Sequence, residues 1–413
     1  MHILADHYRS EFLATPQLFR IDHAHGENGP IPTLLLKAST LLLKYIIQGS
    51  MLELFVAKCG DHLLYGIKVF DDVAKPATIW SIAEHGTERD ALAALMHTSE
   101  FPLFLFNELA LNTAWTTIRV SLPHEVSDLI ATAVLGPIKH TNVKEQAAEL
   151  LDNLLDACDD TNATLFAASL NPTHEWRETF NHYITNRGTN SPIHIFNRDE
   201  GGQQEQLALW LTDSLQFSGA IHSPQVQKGT RRRELTDLLL SYQFGTTLIE
   251  SKTLTIFNRP TLPNRDALAS DITKHIEKAV AQLRGAIRKL REDVPIFDKA
   301  GAELRVDRIQ PVHAIVLIPD FDLIQDPTRY GRDFIADFMQ VTGGFLHFLD
   351  IAELLRVIQA AEMIARSGTT TTSMMAFDYY LIERAKKSLE TGTLSIEVLL
   401  RITDPAQDGD EFA

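Results

Sequence analysis

The sequence predicts an α/β protein of two domains, on three observations. A chain of 413 residues exceeds what one hydrophobic core usually organises. Short apolar runs bounded by turn residues alternate with stretches of helical periodicity. Between them Asn197-Arg198-Asp199-Glu200-Gly201-Gly202, polar and glycine-bearing, interrupts the pattern and sets a boundary near residue 195. Residues 1–195 are then one mixed α/β domain and residues 196–413 another.

Composition removes several classes of function. The most apolar stretch near the N-terminus, Thr33 to Ala57, is broken by Lys37, Lys44 and Glu53 and is too short of uncharged residues to cross a bilayer. It reads as buried strand or helix. The first residues carry neither a basic head with an apolar run nor a small-residue cleavage site, which points to a cytoplasmic protein with no membrane partner. Cys59 and Cys158 are the two cysteines; lacking a Cys-x-x-Cys or zinc spacing, both read as ordinary buried thiols. A formal charge of −16 argues against the whole surface binding polyanions and leaves room for a localised basic groove.

In the first domain, Leu52 to Ala57, Leu63 to Phe70, Ile79 to Ile82, Leu103 to Phe106 and Trp115 to Val120 read as strands, with a helix near Glu88 to Met96. Val143 to Ala157 carries Ala147, Leu150, Leu151, Leu154 and Leu155 at helical spacing and reads as an amphipathic helix. Asp22-His23-Ala24-His25 alternates two histidines without other residues of ligand spacing, and reads as a polar loop. No motif gives this domain a chemistry, so a sensing, regulatory or homo-oligomerising role is expected of it. No glycine-rich phosphate loop, Gly-x-Ser-x-Gly elbow or His-Glu-x-x-His helix occurs in the chain.

The second domain opens with a helical pattern from Gln203 to Phe217, where Leu207, Leu211 and Leu215 recur every four positions beside Trp210 and Glu205 sits in the first turn. Two β-rich runs then flank Phe244-Gly245 and predict an antiparallel hairpin. A turn centred between those residues sets Asp237 opposite Lys252 and Leu239 opposite Glu250. Because facing residues share a side and side chains alternate, Asp237, Glu250 and Lys252 project from one face. Two carboxylates on a half-buried sheet need neutralising, and a hard divalent cation with oxygen ligands does that. Magnesium, or manganese, is the expected cofactor. With a phosphodiester as substrate the ion would polarise the phosphoryl oxygen and activate water, and Lys252 would stabilise the attacking hydroxide and developing charge.

Asp237 followed by Glu250-Ser251-Lys252 on the next strand resembles the signature of the PD-(D/E)XK, or restriction-endonuclease-like, nuclease superfamily. Thr236 stands where the nominal pattern has proline. The resemblance covers the second half of the chain only, with a helix, strands and a further helix in the family's order. It implies a restriction-endonuclease-like mixed sheet flanked by helices, a metal site on Asp237 and Glu250, and catalysis by Asp237, Glu250, Lys252 and Glu205. Glu205 matches the acidic helix residue that often completes the metal site in this family; its competitor Glu234, three positions before Asp237, points to the other side of an extended strand. The implied activity is hydrolysis of nucleic acid, DNA in preference to RNA, and a setting in bacterial defence against phage or plasmids.

Downstream, Leu268 to Arg291 predicts a long helix burying Ile272, Ile276, Val280, Leu283, Ile287 and Leu290. A basic arc adjoins that stripe, with Lys274, Lys278, Arg284 and Arg288 suited to track a phosphate backbone. Arg231, Arg232 and Arg233, read as a loop, are further candidates for nucleic-acid contact, and Gln282 matches a glutamine that some related nucleases carry near the site. Val312 to Ile318 and Phe345 to Leu349 read as strands, and Ile351 to Ala365 and Met375 to Ala385 as helices. The alternative function is a non-catalytic nucleic-acid clamp or scaffold built on the same fold.

Overall fold

The computed structural model describes residues 4, 6–26, 29–59, 61–98, 100–135, 165–309, 311–367, 370–394 and 396. The helix expected over Val143 to Ala157 and Cys158 fall outside the described residues. The protein is α/β, and its chain divides into two compact units: residues 1–181, 193–199 and 255–268 form the first, and residues 182–192, 200–254 and 269–413 the second. The chain therefore passes between units more than once. No helix among the described residues is long and apolar enough to cross a membrane.

In the first unit a nine-stranded sheet runs β1 (Leu18–Gly26), β2 (Gly29–Lys37), β6 (Phe101–Phe106), β7 (Asn112–Arg119), β8 (Leu165–Pro172), β3 (Leu52–Cys59), β4 (His62–Val69), β5 (Ala77–Ile82), with β9 (Arg177–Glu178) also on β7. Helices α1 (Asp6–Ala14), α2 (Thr40–Ile47), α3 (Gly86–Leu95) and α4 (Glu125–Thr132) accompany it. Its core joins Leu34, Leu36, Leu54, Val56 and Ile67 of the strands to Leu43, Ile46 and Leu92 of the helices. Cys59 is a buried free thiol within a smaller cluster. The Ser81 hydroxyl donates to the Phe19 carbonyl at 2.6 Å, tying the two end strands of the sheet together. Contrary to the loop expected, Asp22 to His25 lie in β1, paired with Thr33 to Pro30 of β2. The first four residues of β1 are buried and its last two, His25 and Gly26, are exposed, so these polar residues fall where the strand runs out toward solvent.

β10 (Asn181–Ile184) and β11 (Asn190–Ile193) form a two-stranded sheet, and the second unit is built on a five-stranded sheet in the order β12 (Ile221–His222), β15 (Leu238–Tyr242), β16 (Gly245–Ser251), β19 (His313–Ile318), β20 (Phe345–Asp350). β12, β15 and β16 pair antiparallel, while β16, β19 and β20 run parallel. All six residues of β19 are buried, as expected of a strand covered on both faces. Helices α5 (Glu200–Asp213), α6 (Arg265–Arg291), α7 (Arg332–Thr342), α8 (Ile351–Arg366) and α9 (Ser373–Thr391) belong mainly to this unit. The stripe of α6 is buried at every expected position, from Ile272 and Ile276 (0 %) to Leu290 (1 %), and Ile287 reaches Gly344 beside β20. Each such side chain contributes about 1.5–3 kcal/mol by leaving water.

A second sheet in this unit runs β14 (Arg231–Glu234), β13 (Gln225–Lys228), β17 (Ile296–Phe297), β18 (Glu303–Leu304). Arg231, Arg232 and Arg233 are thus in a hairpin strand rather than a loop. β14 is the edge of that sheet and its residues are exposed, so the charged run serves as an edge that resists further pairing.

Candidate functional site

The hairpin that carries the site has its turn at Gln243-Phe244, with Tyr242 paired to Gly245 and Leu238 to Ile249. The register differs by two residues from the one expected: extended by one step it sets Asp237 opposite Glu250, not Lys252. A shift of two preserves side-chain parity. Tyr242 is anchored by donating its hydroxyl to Asp378 of α9 at 2.5 Å, a long-range contact that a local turn rule cannot anticipate.

Asp237, Glu250 and Lys252 converge. Lys252 Nζ lies 2.8 Å from Glu250 Oε2 and 3.6 Å from Asp237 Oδ2. The first is a hydrogen bond and the second an ion pair beyond hydrogen-bond length. Asp237 is further fixed by the Ser251 N–H, which donates to its Oδ2 at 2.7 Å. Thr236, in the place of the nominal proline, donates its hydroxyl to the Ile249 carbonyl at 2.8 Å and staples the two strands immediately beside the carboxylates. Lys252 leaves the sheet with its N–H on Leu317 O at 2.8 Å, and Gln204 of α5 donates to Lys252 O at 3.0 Å.

Burial governs the electrostatics. Glu250 is fully buried and Asp237 nearly so. Desolvation raises the Asp237 carboxyl to about 6, against the opposing pull of Lys252, with Glu205 adding to the rise. Desolvation and then the charge of Asp237 raise Glu250 to about 7. Burial alone would lower Lys252, but Glu250 and Asp237 raise it, so it stays an ammonium. One cation thus faces two carboxyls whose second charge is poorly compensated. Glu250 Oε1 is buried with no hydrogen-bond partner, an unsatisfied acceptor beside two more carboxylate oxygens, and hard oxygen donors so arranged fit a divalent cation.

Glu205 is placed differently from the pair. Its Oε2 lies 3.0 Å from His222 Nε2, and His222 Nδ1 lies 3.4 Å from Lys299 Nζ. Since a lysine ammonium only donates, His222 accepts at Nδ1 and donates from Nε2 to Glu205. Among the described residues no three His, Cys, Asp or Glu side chains are gathered closely enough to hold a metal ion. Glu205 is therefore near enough to act on Asp237 through its charge but is held by His222. Glu234 is exposed and also raises Asp237 electrostatically. Sequence reasoning missed His222, Lys299 and Gln204, which come from separate segments and carry no motif.

The basic candidates divide. Arg232, Arg233 and Arg288 line one cleft, together with Gln282, and Arg288 Nε also lies 3.8 Å from Glu292 Oε1. Lys274 pairs with Asp271 at 3.4 Å and Arg284 with Asp337 at 2.6 Å, while Lys278 is exposed on the same helix and Arg231 lies at the start of β14. Comparisons with family models, with curated proteins and with solved structures return no match.

Proposed function

We propose that the second unit is a metal-dependent nuclease that hydrolyses phosphodiester bonds of DNA, and less readily of RNA, on a restriction-endonuclease-like fold. The observation that carries this reading is the buried convergence of Asp237, Glu250 and Lys252, with Glu250 Oε1 unsatisfied. Asp237 and Glu250 would hold magnesium or manganese, and Glu205 would join them on exchanging His222 for the ion. Bound there, the ion supplies polarisation of the phosphoryl oxygen and a water of lowered pKa.

The chain's own groups have defined tasks in that reaction. Lys252, a compact cation held by two carboxylates, faces the charge that builds on the attacking oxygen and the phosphoryl group. Gln204 and the Leu317 carbonyl fix the Lys252 backbone and so set the position of its ammonium. Ser251 N–H keeps Asp237 turned toward the pair.

Labelled single- and double-stranded DNA and RNA, incubated with and without magnesium or manganese, test the reading. Cleavage that requires the ion and is lost in Lys252→Ala supports it. A nucleic-acid clamp is the second reading, favoured by the basic cleft that Arg232, Arg233 and Arg288 line. Binding without cleavage under any metal would leave the clamp standing.

A further inference from the structure

Two basic features separated by some fifty residues in sequence meet at one place in the second unit. Arg232 and Arg233 of β14 stand on one side, and Arg288 and Lys289 of α6 on the other, of a cleft of about 610 Å³. Its apolar lining includes Val226 and Ala281. Glu234 also lines it and lies three residues before Asp237, which bounds the backbone path from cleft wall to carboxylate at about 11 Å. On a chain of formal charge −16, four cations around one opening form a local exception that attracts phosphate.

We infer that this cleft holds one unpaired nucleotide of a nucleic-acid strand whose phosphodiester is presented to Asp237, Glu250 and Lys252, so that the substrate class is single-stranded or locally unpaired nucleic acid. The substrate assignment rests on the nuclease reading above. Four features support it. The volume falls in the range that encloses a single small molecule, roughly 300–1,000 Å³, whereas a duplex, whose major groove alone is about 12 Å wide, cannot enter it. The lining combines cations for the phosphate with apolar side chains for a base. The Arg232 guanidinium lies 4.5 Å above the Phe297 ring, a stack that holds it as a flat surface of the kind on which unpaired bases pile.

The fourth feature is Gly285, which also lines the cleft. It lies inside α6, where glycine weakens a helix relative to alanine. No packing demands it, because a Cβ built there meets no heavy atom within 4 Å. Its effect is to keep the cleft open and to let a ligand approach the helix backbone. Gln282, one turn before Ala286 on the same wall, supplies an amide able to hydrogen-bond a base edge.

The test is binding measured apart from cleavage, by fluorescence anisotropy of a labelled 12-mer as a single strand and as a duplex, in EDTA, with the full chain. The parent should bind the single strand at least tenfold more tightly than the duplex. Gly285→Phe, whose Cβ would meet no heavy atom within 4 Å and whose ring would take up space in the cleft, and Arg288→Glu should each weaken strand binding tenfold or more. Unchanged or higher melting temperatures would show that both variants fold. Arg288→Glu should also lower the slope of log affinity against log salt by about 0.7, the value of one lost single-strand phosphate contact. A parent that binds neither form, a parent that prefers duplex, or variants that bind like the parent would overturn the inference. Because binding is read without metal, failure of the parent to cleave once magnesium or manganese is supplied would count against the nuclease reading alone, and unaltered strand binding in Gly285→Phe against the cleft alone.

Discussion

Glu250→Gln should stabilise the metal-free protein at alkaline pH and leave it nearly unchanged in acid. Glu250 is fully buried, and desolvation with the Asp237 charge lifts its carboxyl from 4.5 to about 7. Between those values the folded protein binds a proton that the unfolded chain has released, so stability falls as pH rises through that window. At 1.36 kcal/mol for each pKa unit, the ionised carboxylate costs about 3 kcal/mol at pH 8. Glutamine keeps the shape and removes the charge, so its gain should approach that value at pH 8 and vanish below pH 4.5, the ordinary value of the carboxyl. For a domain of roughly 200 residues this is about 6–12 °C in Tm, measured by differential scanning fluorimetry from pH 4.5 to 8.5 in EDTA. Adding 10-fold excesses of magnesium over its Kd should raise the parent by about 1.4 kcal/mol and leave Glu250→Gln where it was. A gain that does not vary with pH would refute the buried-charge argument, and magnesium stabilising both proteins equally would remove Glu250 from the ion's site.

Lys252→Ala should cut turnover by about 10²-fold or more while leaving divalent-ion binding intact, whereas the defect of Glu250→Ala should be partly relieved by raising magnesium or substituting manganese. Steady-state cleavage against metal concentration separates the two, and rescue of Lys252→Ala by metal would sink the assignment. Ile276→Ala should cost about 2–5 kcal/mol, since Ile276 is fully buried in the α6 stripe; a loss below 1 kcal/mol in urea unfolding would contradict its core position. His347 is held well below its usual 6.5 by burial, then by His313 and Arg384. The folded protein keeps it neutral while the unfolded chain takes up a proton, so its contribution is present above about 6.5 and is lost as pH falls. Replacing it in His347→Phe should flatten the stability profile between pH 7 and 5 relative to the parent, and identical slopes would refute this.

Local pattern made much of the second unit legible. The α6 stripe, strands β19 and β20 and helices α8 and α9 all announce themselves by period and length, because a long apolar repeat has few alternative structures. The face shared by Asp237, Glu250 and Lys252 followed from strand alternation, and it survived a register shift because the actual loop at Gln243-Phe244 also holds an even number of residues. What was illegible depended on partners distant in sequence. β13 and β14 are a charged hairpin that becomes a sheet only by pairing with β17. β1 holds its polar residues in a strand because β2 supplies a full antiparallel ladder. The segment 255–268 packs with the first unit, and no local feature announces that.

The same distinction orders the site itself. Residues on one hairpin, Asp237, Glu250 and Lys252, could be placed by counting, since their separation is set by pleat and register. Glu205, His222 and Lys299 could not, because each comes from a different element and the chain that links them exists only after folding. That chain bears directly on the chemistry: while His222 donates to Glu205, the carboxylate is satisfied without an ion, and recruiting it to a metal requires breaking that hydrogen bond. His222→Ala would release Glu205 and leave its charge beside Asp237 uncompensated, so metal affinity should rise if Glu205 is a third ligand and stay constant if Asp237 and Glu250 act alone. Isothermal titration with manganese distinguishes them, and a tighter ion in His222→Ala that loosens again in His222→Ala/Glu205→Gln would place Glu205 in the coordination sphere.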